Sequence, residues 1–138
     1  MTSGSSAPGG RWFLALAVIG LLWNTIGAYL YVMTRLGDPD LIASAPAAMQ
    51  AYIANPPLWA DLGWALGIWG SFAGSVLMLL RSRRAVAAFL LSLVGAIASF
   101  AGQAMAGVLD APMALFILVV IVFLWQFCRR AAAQGVLR

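Results

Sequence analysis

Residues 58–80 read LWADLGWALGIWGSFAGSVLMLL, and after RSRR at 81–84 the chain resumes at 85–107 with AVAAFLLSLVGAIASFAGQAMAG. Each run is long enough to cross about 30 Å of hydrocarbon as an α-helix, for which ~20 apolar residues suffice. Each also carries small residues three and four positions apart: Ala60, Gly63, Gly67, Gly70 and Gly74 in the first, Ala88, Ser92, Gly95, Ser99, Gly102 and Ala106 in the second. That spacing keeps one stripe on a partner helix, and small side chains let two backbones approach for dispersion contacts that lipid does not otherwise favour. The two runs are therefore expected to form a tight antiparallel hairpin, with Gly63, Gly67, Gly70, Gly74, Gly95, Ser99 and Gly102 as its packing residues.

Two further apolar runs flank this pair, at 12–34 and at 112–128, the latter continuing toward 131–133. Apolar residues make up 64% of the 138-residue chain and charged ones 9%, and the mean hydropathy is +0.97. A soluble domain needs far more charge on its surface, so most of this surface must meet lipid. The first run repeats the small-residue pattern with Ala17, Gly20, Asn24 and Gly27 and is expected in the same bundle. The stretch LFILVVIVFL at 115–124 has no small or polar residue and suits the lipid-facing side. The fold class is thus an all-α membrane protein, a four-transmembrane-helix antiparallel bundle. The run after Arg11 exceeds the apolar core of about 7–15 residues of a signal peptide and offers no convincing cleavage site, which makes it a retained helix.

Arginine sets the orientation. Arg11, Arg81, Arg83, Arg84, Arg129, Arg130 and Arg138 fall on one side of the four runs, and only Arg35 on the other, together with Asp38, Asp40, Asp61 and Asp110. Arginine excess marks the cytoplasmic side, so both termini are expected in the cytoplasm of a multi-pass inner-membrane protein. The same asymmetry accounts for the net charge of +4 without a nucleic-acid partner. Cys128, the single cysteine, has no internal disulfide partner and reads as an apolar filler in a reducing compartment.

Around the single membrane domain, 12–130, residues 1–11 form a Ser-, Gly- and Pro-rich tail expected to be disordered, and 131–138 a second tail. Segment 37–57 is too long for a bare turn. Asp38 and Pro39 can start a short helix, and Leu41, Ile42, Ala45, Met49, Tyr52 and Ile53 recur near helical spacing around Pro46, which predicts a Pro-interrupted interfacial segment. Asn55 is the expected N-cap of the next helix, with Pro56 in its first turn. Trp12 and Trp125 fit one interfacial belt, and Tyr52, Trp59 and Trp64 the other. Trp23 and Trp69 lie mid-helix, where packing is the expected role and ligand contact the other reading.

Polar residues inside the runs are the candidate ligand or helix contacts. Asn24 lies near the bilayer centre, where an unpartnered amide is costly, so it must face the bundle. Asp61, Tyr31 and Gln103 fall at similar depth on three helices and could converge on a pocket walled by Trp64, Tyr29 and Trp59. Alternatively, Asp61 serves its own helix start through the backbone dipole while Tyr31 and Gln103 bond each other or the backbone. Catalysis has little vocabulary here: the chain has no His, no Lys, one Cys and four carboxylates, with no nucleophile–base pair and no metal-ligand spacing. No catalytic residue, metal or cofactor is expected. Small proton-coupled exporters need a carboxylate deep in the first helix, where this chain has Asn24.

Trp23-Asn24-Thr25-Ile26-Gly27, then Tyr31-Val32-Met33-Thr34, and later Trp69-Gly70, Gly74-Ser75 and Leu79-Leu80-Arg81 resemble a group of small four-helix bacterial inner-membrane proteins. Members often carry the automatic label "sugar transporter", and no functional residues come with the resemblance. Small sugar carriers built from three-helix repeats bear a Pro-Gln signature that this chain lacks. The expected role is binding, accessory or assembly work in the lipid bilayer, as a subunit of a larger membrane complex or a homo-oligomer, with a small oligomeric transporter as the other reading.

Topology is directly testable. In a Cys128→Ala background, cysteines introduced as Ser5→Cys and Gln134→Cys should be shielded from an impermeant thiol reagent in intact cells, and Ser44→Cys labelled. Labelling of the two termini without Ser44→Cys reverses the orientation.

Overall fold

The computed structural model describes residues 10–138, and the expected disordered tail falls, apart from Gly10 and Arg11, outside the described residues. Six helices follow in order: α1 (Arg11–Arg35), α2 (Pro39–Ala43), α3 (Ala47–Ala54), α4 (Leu58–Leu79), α5 (Arg84–Met105) and α6 (Ala111–Ala133). Helices α1, α4, α5 and α6 are long and apolar enough to cross a membrane. They form a four-helix antiparallel bundle, and the protein is a small integral membrane protein. Both the start of α1 and the last residues of the chain lie at the arginine-rich end.

Local sequence explains most helix boundaries. Asp38 caps α2 by accepting the Leu41 N–H at 2.8 Å, and Asp110 caps α6 by accepting that of Met113 at 3.2 Å. In both, a proline sits in the first turn, where its missing N–H costs nothing. The expected N-cap at Asn55 is corrected: Asn55 closes α3, and α4 begins at Leu58 after Pro57. A residue before proline is driven out of helical conformation, so the Pro56-Pro57 pair delays the start of α4 past both rings.

All four long helices end in the same reversed turn, in which a left-handed residue lets the next N–H reach back five positions. Glycine holds the left-handed position after α1, α5 and α6, at Gly37, Gly107 and Gly135. After α4 the position falls to Arg81, at φ 55°. Left-handed geometry costs an L-residue roughly 1–2 kcal/mol. Two contacts offset it: the Arg81 guanidinium lies 5.2 Å over the Phe13 ring, and the Arg81 carbonyl accepts the Arg138 N–H at 2.7 Å.

The hairpin of α4 and α5 forms the centre, and its backbones touch. A Cβ added to Gly95 would come within 2.6 Å of the Gly63 carbonyl oxygen and the Gly67 nitrogen, and one added to Gly63 within 2.8 Å of the Gly95 oxygen. Gly67 lies against the backbone of Ala96, Gly70 against Ser92, and Gly74 beneath the Phe89 ring. The anticipated small stripe is therefore the packing face, with differences at its ends. Phe89 and Ala85 are buried toward the arginine-rich end, whereas Ala88 is half-buried, and Ala106 lies beyond α5 and is exposed.

Helix α1 packs on α4, and α6 on α5. Side chains close the ring between α1 and α6, where Phe13 stacks on Phe127 at 5.8 Å and Trp23 meets Phe116 edge-on at 5.6 Å. Helix α6 is the least buried of the four spans, in keeping with the lack of small residues in its central stretch, 115–124. The stretch 131–138 is more than a tail. Helix α6 runs to Ala133, Leu137 is fully buried in the core with Phe13, Met78 and Phe89, and Arg83 donates its N–H to the Arg138 carbonyl at 3.0 Å. The last residues thus plug the arginine-rich end.

Two glycine-to-alanine exchanges isolate the seam, because each brings the same gain in helix propensity. Gly95→Ala should lower stability by about 1–3 kcal/mol, since the new methyl meets backbone rather than a mobile side chain. Gly27→Ala, whose nearest neighbour is the Ile68 side chain at 3.6 Å, should be neutral or stabilising. Thermal unfolding of both in detergent checks this; equal effects would show that the seam is not closely packed.

Candidate functional site

Polar groups gather at two levels of the bundle. The first is a closed knot at mid-membrane depth. Asn24 Nδ2 donates to the Ser75 hydroxyl at 2.6 Å and to the Ser71 carbonyl at 3.2 Å. Ser92 donates its hydroxyl proton to the Gly67 carbonyl at 2.7 Å. Because that proton is committed, the Ser71 hydroxyl must be the donor in its short bond to Ser92. The knot ties α1, α4 and α5 together, and Asn24 acts in it as a helix-to-helix contact, of a kind worth about 0.6–2 kcal/mol in membrane proteins.

The second level is a cavity of ≈ 160 Å³ at the end opposite the arginine cluster. Helix α1 contributes Thr34, and α3 contributes Met49, Tyr52 and Ile53. Pro56 and α4's Ala60, Asp61 and Trp64 form another wall, and Ser99 and Gln103 of α5 complete it. Helices α2 and α3 bury no residue of their own; α3 instead covers the bundle end with one face. Its docking depends on Gly102, because a Cβ there would lie 2.6 Å from the Tyr52 hydroxyl.

Three of the sequence candidates, Asp61, Trp64 and Gln103, meet at this cavity. Tyr31 does not line it. Its ring packs edge-on against Trp64 at 4.6 Å and Trp69 at 5.9 Å, so that it supports the wall from behind. Tyr29 is largely exposed and does not line it either, and Asn24 belongs to the separate knot.

Asp61 has a partner that neither sequence reading included. Arg35 grips it with both guanidinium nitrogens, Nη1 to Oδ1 at 2.9 Å and Nη2 to Oδ2 at 3.0 Å. The guanidinium also lies 5.8 Å over the Tyr31 ring. Asp61 occupies the first turn of α4, where the helix dipole favours a carboxylate, but its side chain is committed to the ion pair. Nor do Tyr31 and Gln103 bond each other. The signal for the pair was present in the chain, since Arg35 is the only arginine on the acidic side of the spans.

Three other lining groups have no such commitment. Among the described residues, the Tyr52 hydroxyl, the Ser99 hydroxyl and the Gln103 amide make no hydrogen bond to protein. Tyr52 and Ser99 were anticipated only as a belt residue and a packing residue, because nothing local shows that they share a cavity. Loss of hydration on burial raises the Tyr52 phenol above its ordinary pKa, and the Asp61 charge adds to this. The phenol is therefore held protonated, as a donor. Chemically the site offers neutral donors and acceptors beside a charge-compensated carboxylate, with Trp64, Met49, Ile53 and Pro56 as apolar surface.

Comparison with family models, curated proteins and solved structures gives no match to this chain. Its own geometry carries the functional reading.

The Arg35–Asp61 pair can be measured by a double-mutant cycle. With the Arg35 side chain 45% exposed, the coupling between Arg35→Gln and Asp61→Asn should be about 1 kcal/mol, the upper end for exposed pairs, because the geometry is bidentate. Unfolding midpoints of the four proteins at low and high salt report it. A coupling of zero at low salt would remove the pair as a link between α1 and α4.

Proposed function

We propose that this protein is a multi-pass bacterial inner-membrane protein, both termini cytoplasmic, with a binding, accessory or assembly role rather than a catalytic one. Its proposed place is as a subunit of a larger membrane complex. One observation carries the reading: the interior of the bundle is closed. The α4 and α5 backbones are in contact along the seam, and the Asn24 and serine donors at mid-depth are spent on one another and on backbone carbonyls. A solute path needs polar groups available along the span. Among the described residues, the polar-lined recesses lie at the two ends of the bundle, beneath α3 and beside Ser82 and Arg138. The arginine asymmetry supports the orientation, and the resemblance to small four-helix inner-membrane proteins fits the same reading.

The test uses the tagged full chain, extracted from its native membrane in mild detergent. It should copurify with a membrane protein in fixed stoichiometry, and the chain alone in liposomes should take up a panel of sugars, amino acids and organic cations no faster than empty vesicles. Saturable uptake by the purified chain would overturn the accessory reading in favour of an oligomeric transporter.

A further inference from the structure

We propose that the cavity beneath α3 is a binding site for an uncharged, hydroxyl-bearing head group of about the size of glycerol. The proposal deepens the binding role above and rests on it. Four observations lead to it.

The first is unspent hydrogen-bonding capacity. Ser99 is 5% exposed, faces the cavity and bonds no protein atom, and the Tyr52 hydroxyl and Gln103 amide converge there in the same state. Buried polar groups are nearly always bonded, so the unbonded hydroxyl of buried Ser99, with the half-buried Tyr52 and Gln103 beside it, leaves capacity for a ligand on this cavity. The contrast lies within the molecule. About two to three turns deeper, Asn24, Ser71 and Ser92 are all spent on protein partners.

The second is charge. Asp61 is the one charged residue that lines the cavity, and Arg35 neutralises it through two bonds. An anion would face the carboxylate without gaining Arg35, and a cation would have to displace a bidentate guanidinium. An uncharged ligand meets neither obstacle.

The third is the type of group required. A carboxylate offers about four lone-pair sites, of which Arg35 takes two, so the rest call for a donor. Tyr52, Ser99 and Gln103 can each donate as well as accept. A hydroxyl does both, and adjacent hydroxyls suit this mixed lining better than a carbonyl, which only accepts. The fourth is size: the cavity of ≈ 160 Å³ is smaller than the ~300 Å³ or more typical of pockets for drug-sized ligands, and so suits a small polar head group.

A glycerol head can come from a neutral lipid or from free polyol, and the two are separable. The full chain in detergent would be titrated with short-chain 1-monoacylglycerol and with phosphatidylglycerol of the same chain length by native mass spectrometry, and with free glycerol by saturation-transfer NMR. We expect saturable one-to-one binding of monoacylglycerol, of glycerol, or of both, and at least tenfold weaker binding of phosphatidylglycerol. Monoacylglycerol alone identifies a lipid ligand; equal affinity for glycerol identifies a free one.

Gln103→Leu should weaken binding at least tenfold, and Tyr52→Phe, which removes one oxygen and keeps the ring, at least threefold. Val119→Leu on the lipid face should leave it unchanged. If Gln103→Leu does not fold, Tyr52→Phe decides alone. Binding by neither neutral probe, or binding that Tyr52→Phe and Val119→Leu leave equally intact, overturns the proposal and makes the cavity a water-filled recess. Copurification of a partner protein in that event would leave the accessory reading standing, whereas solute uptake by the chain alone would remove that reading whatever the cavity binds.

Discussion

Backbone contact between α4 and α5 is the constraint on which the rest of the molecule depends. Lipid tails are as apolar as leucine, so two membrane helices gain little by merely meeting, and the gain comes from close dispersion contact between surfaces that fit. Glycine at 63, 67 and 95 removes the side chains that would keep the axes apart, and the Gly63 carbonyl and Gly67 nitrogen then lie against Gly95. Once these backbones meet, the rotation of both helices is fixed. Every other polar or aromatic residue on α4 and α5 takes its direction from that fit.

The mid-depth knot is one consequence. With Gly67 and Gly70 on the seam, Ser71 and Ser75 fall at its edge, where Ser92 crosses from α5 and Asn24 from α1. Hydrogen bonds that would be nearly neutral in water act here as fasteners, since hydrocarbon offers the amide and hydroxyls no other partner. The cavity is the other consequence. Near the end of the seam Gly102 gives space to Tyr52, so α3 seats its phenol between α4 and α5, and Arg35 draws the end of α1 onto the first turn of α4. The same small residues thus seal the bundle at mid-depth and leave a recess at its mouth.

The two ends are built differently. At the arginine-rich end, Leu137 and Phe13 fill the core and the last residues bond the α4–α5 turn, so packing continues to the end of the helices. At the opposite end, short helices without buried residues of their own cover the bundle and leave polar groups unpaired. The first end has an apolar core reaching to the last residues, whereas the second is closed by half-buried groups around a polar recess. That difference is the physical basis of the binding role proposed above.

The chain by itself determined whatever depends on neighbours within a few positions. Apolar runs of sufficient length gave four spans, small residues three and four apart gave the seam, and Asp38 before Pro39 gave a helix start because it reaches an N–H three residues ahead. It placed the start of the second span at Leu58 but gave its N-cap to Asn55, which two prolines separate from α4, and it read Leu137 as part of a tail because one apolar residue after a helix has no periodicity to reveal its burial. Tertiary structure alone decided the pairing of Arg35 with Asp61, 26 positions apart, the displacement of Tyr31 behind Trp64, and the meeting of Tyr52, Ser99 and Gln103 from two helices. The physical reason is rotational. At about 3.6 residues per turn, each step along a helix swings a side chain by roughly 100°, so depth in the membrane can be counted along the chain, whereas facing is set only when the glycine backbones close on each other.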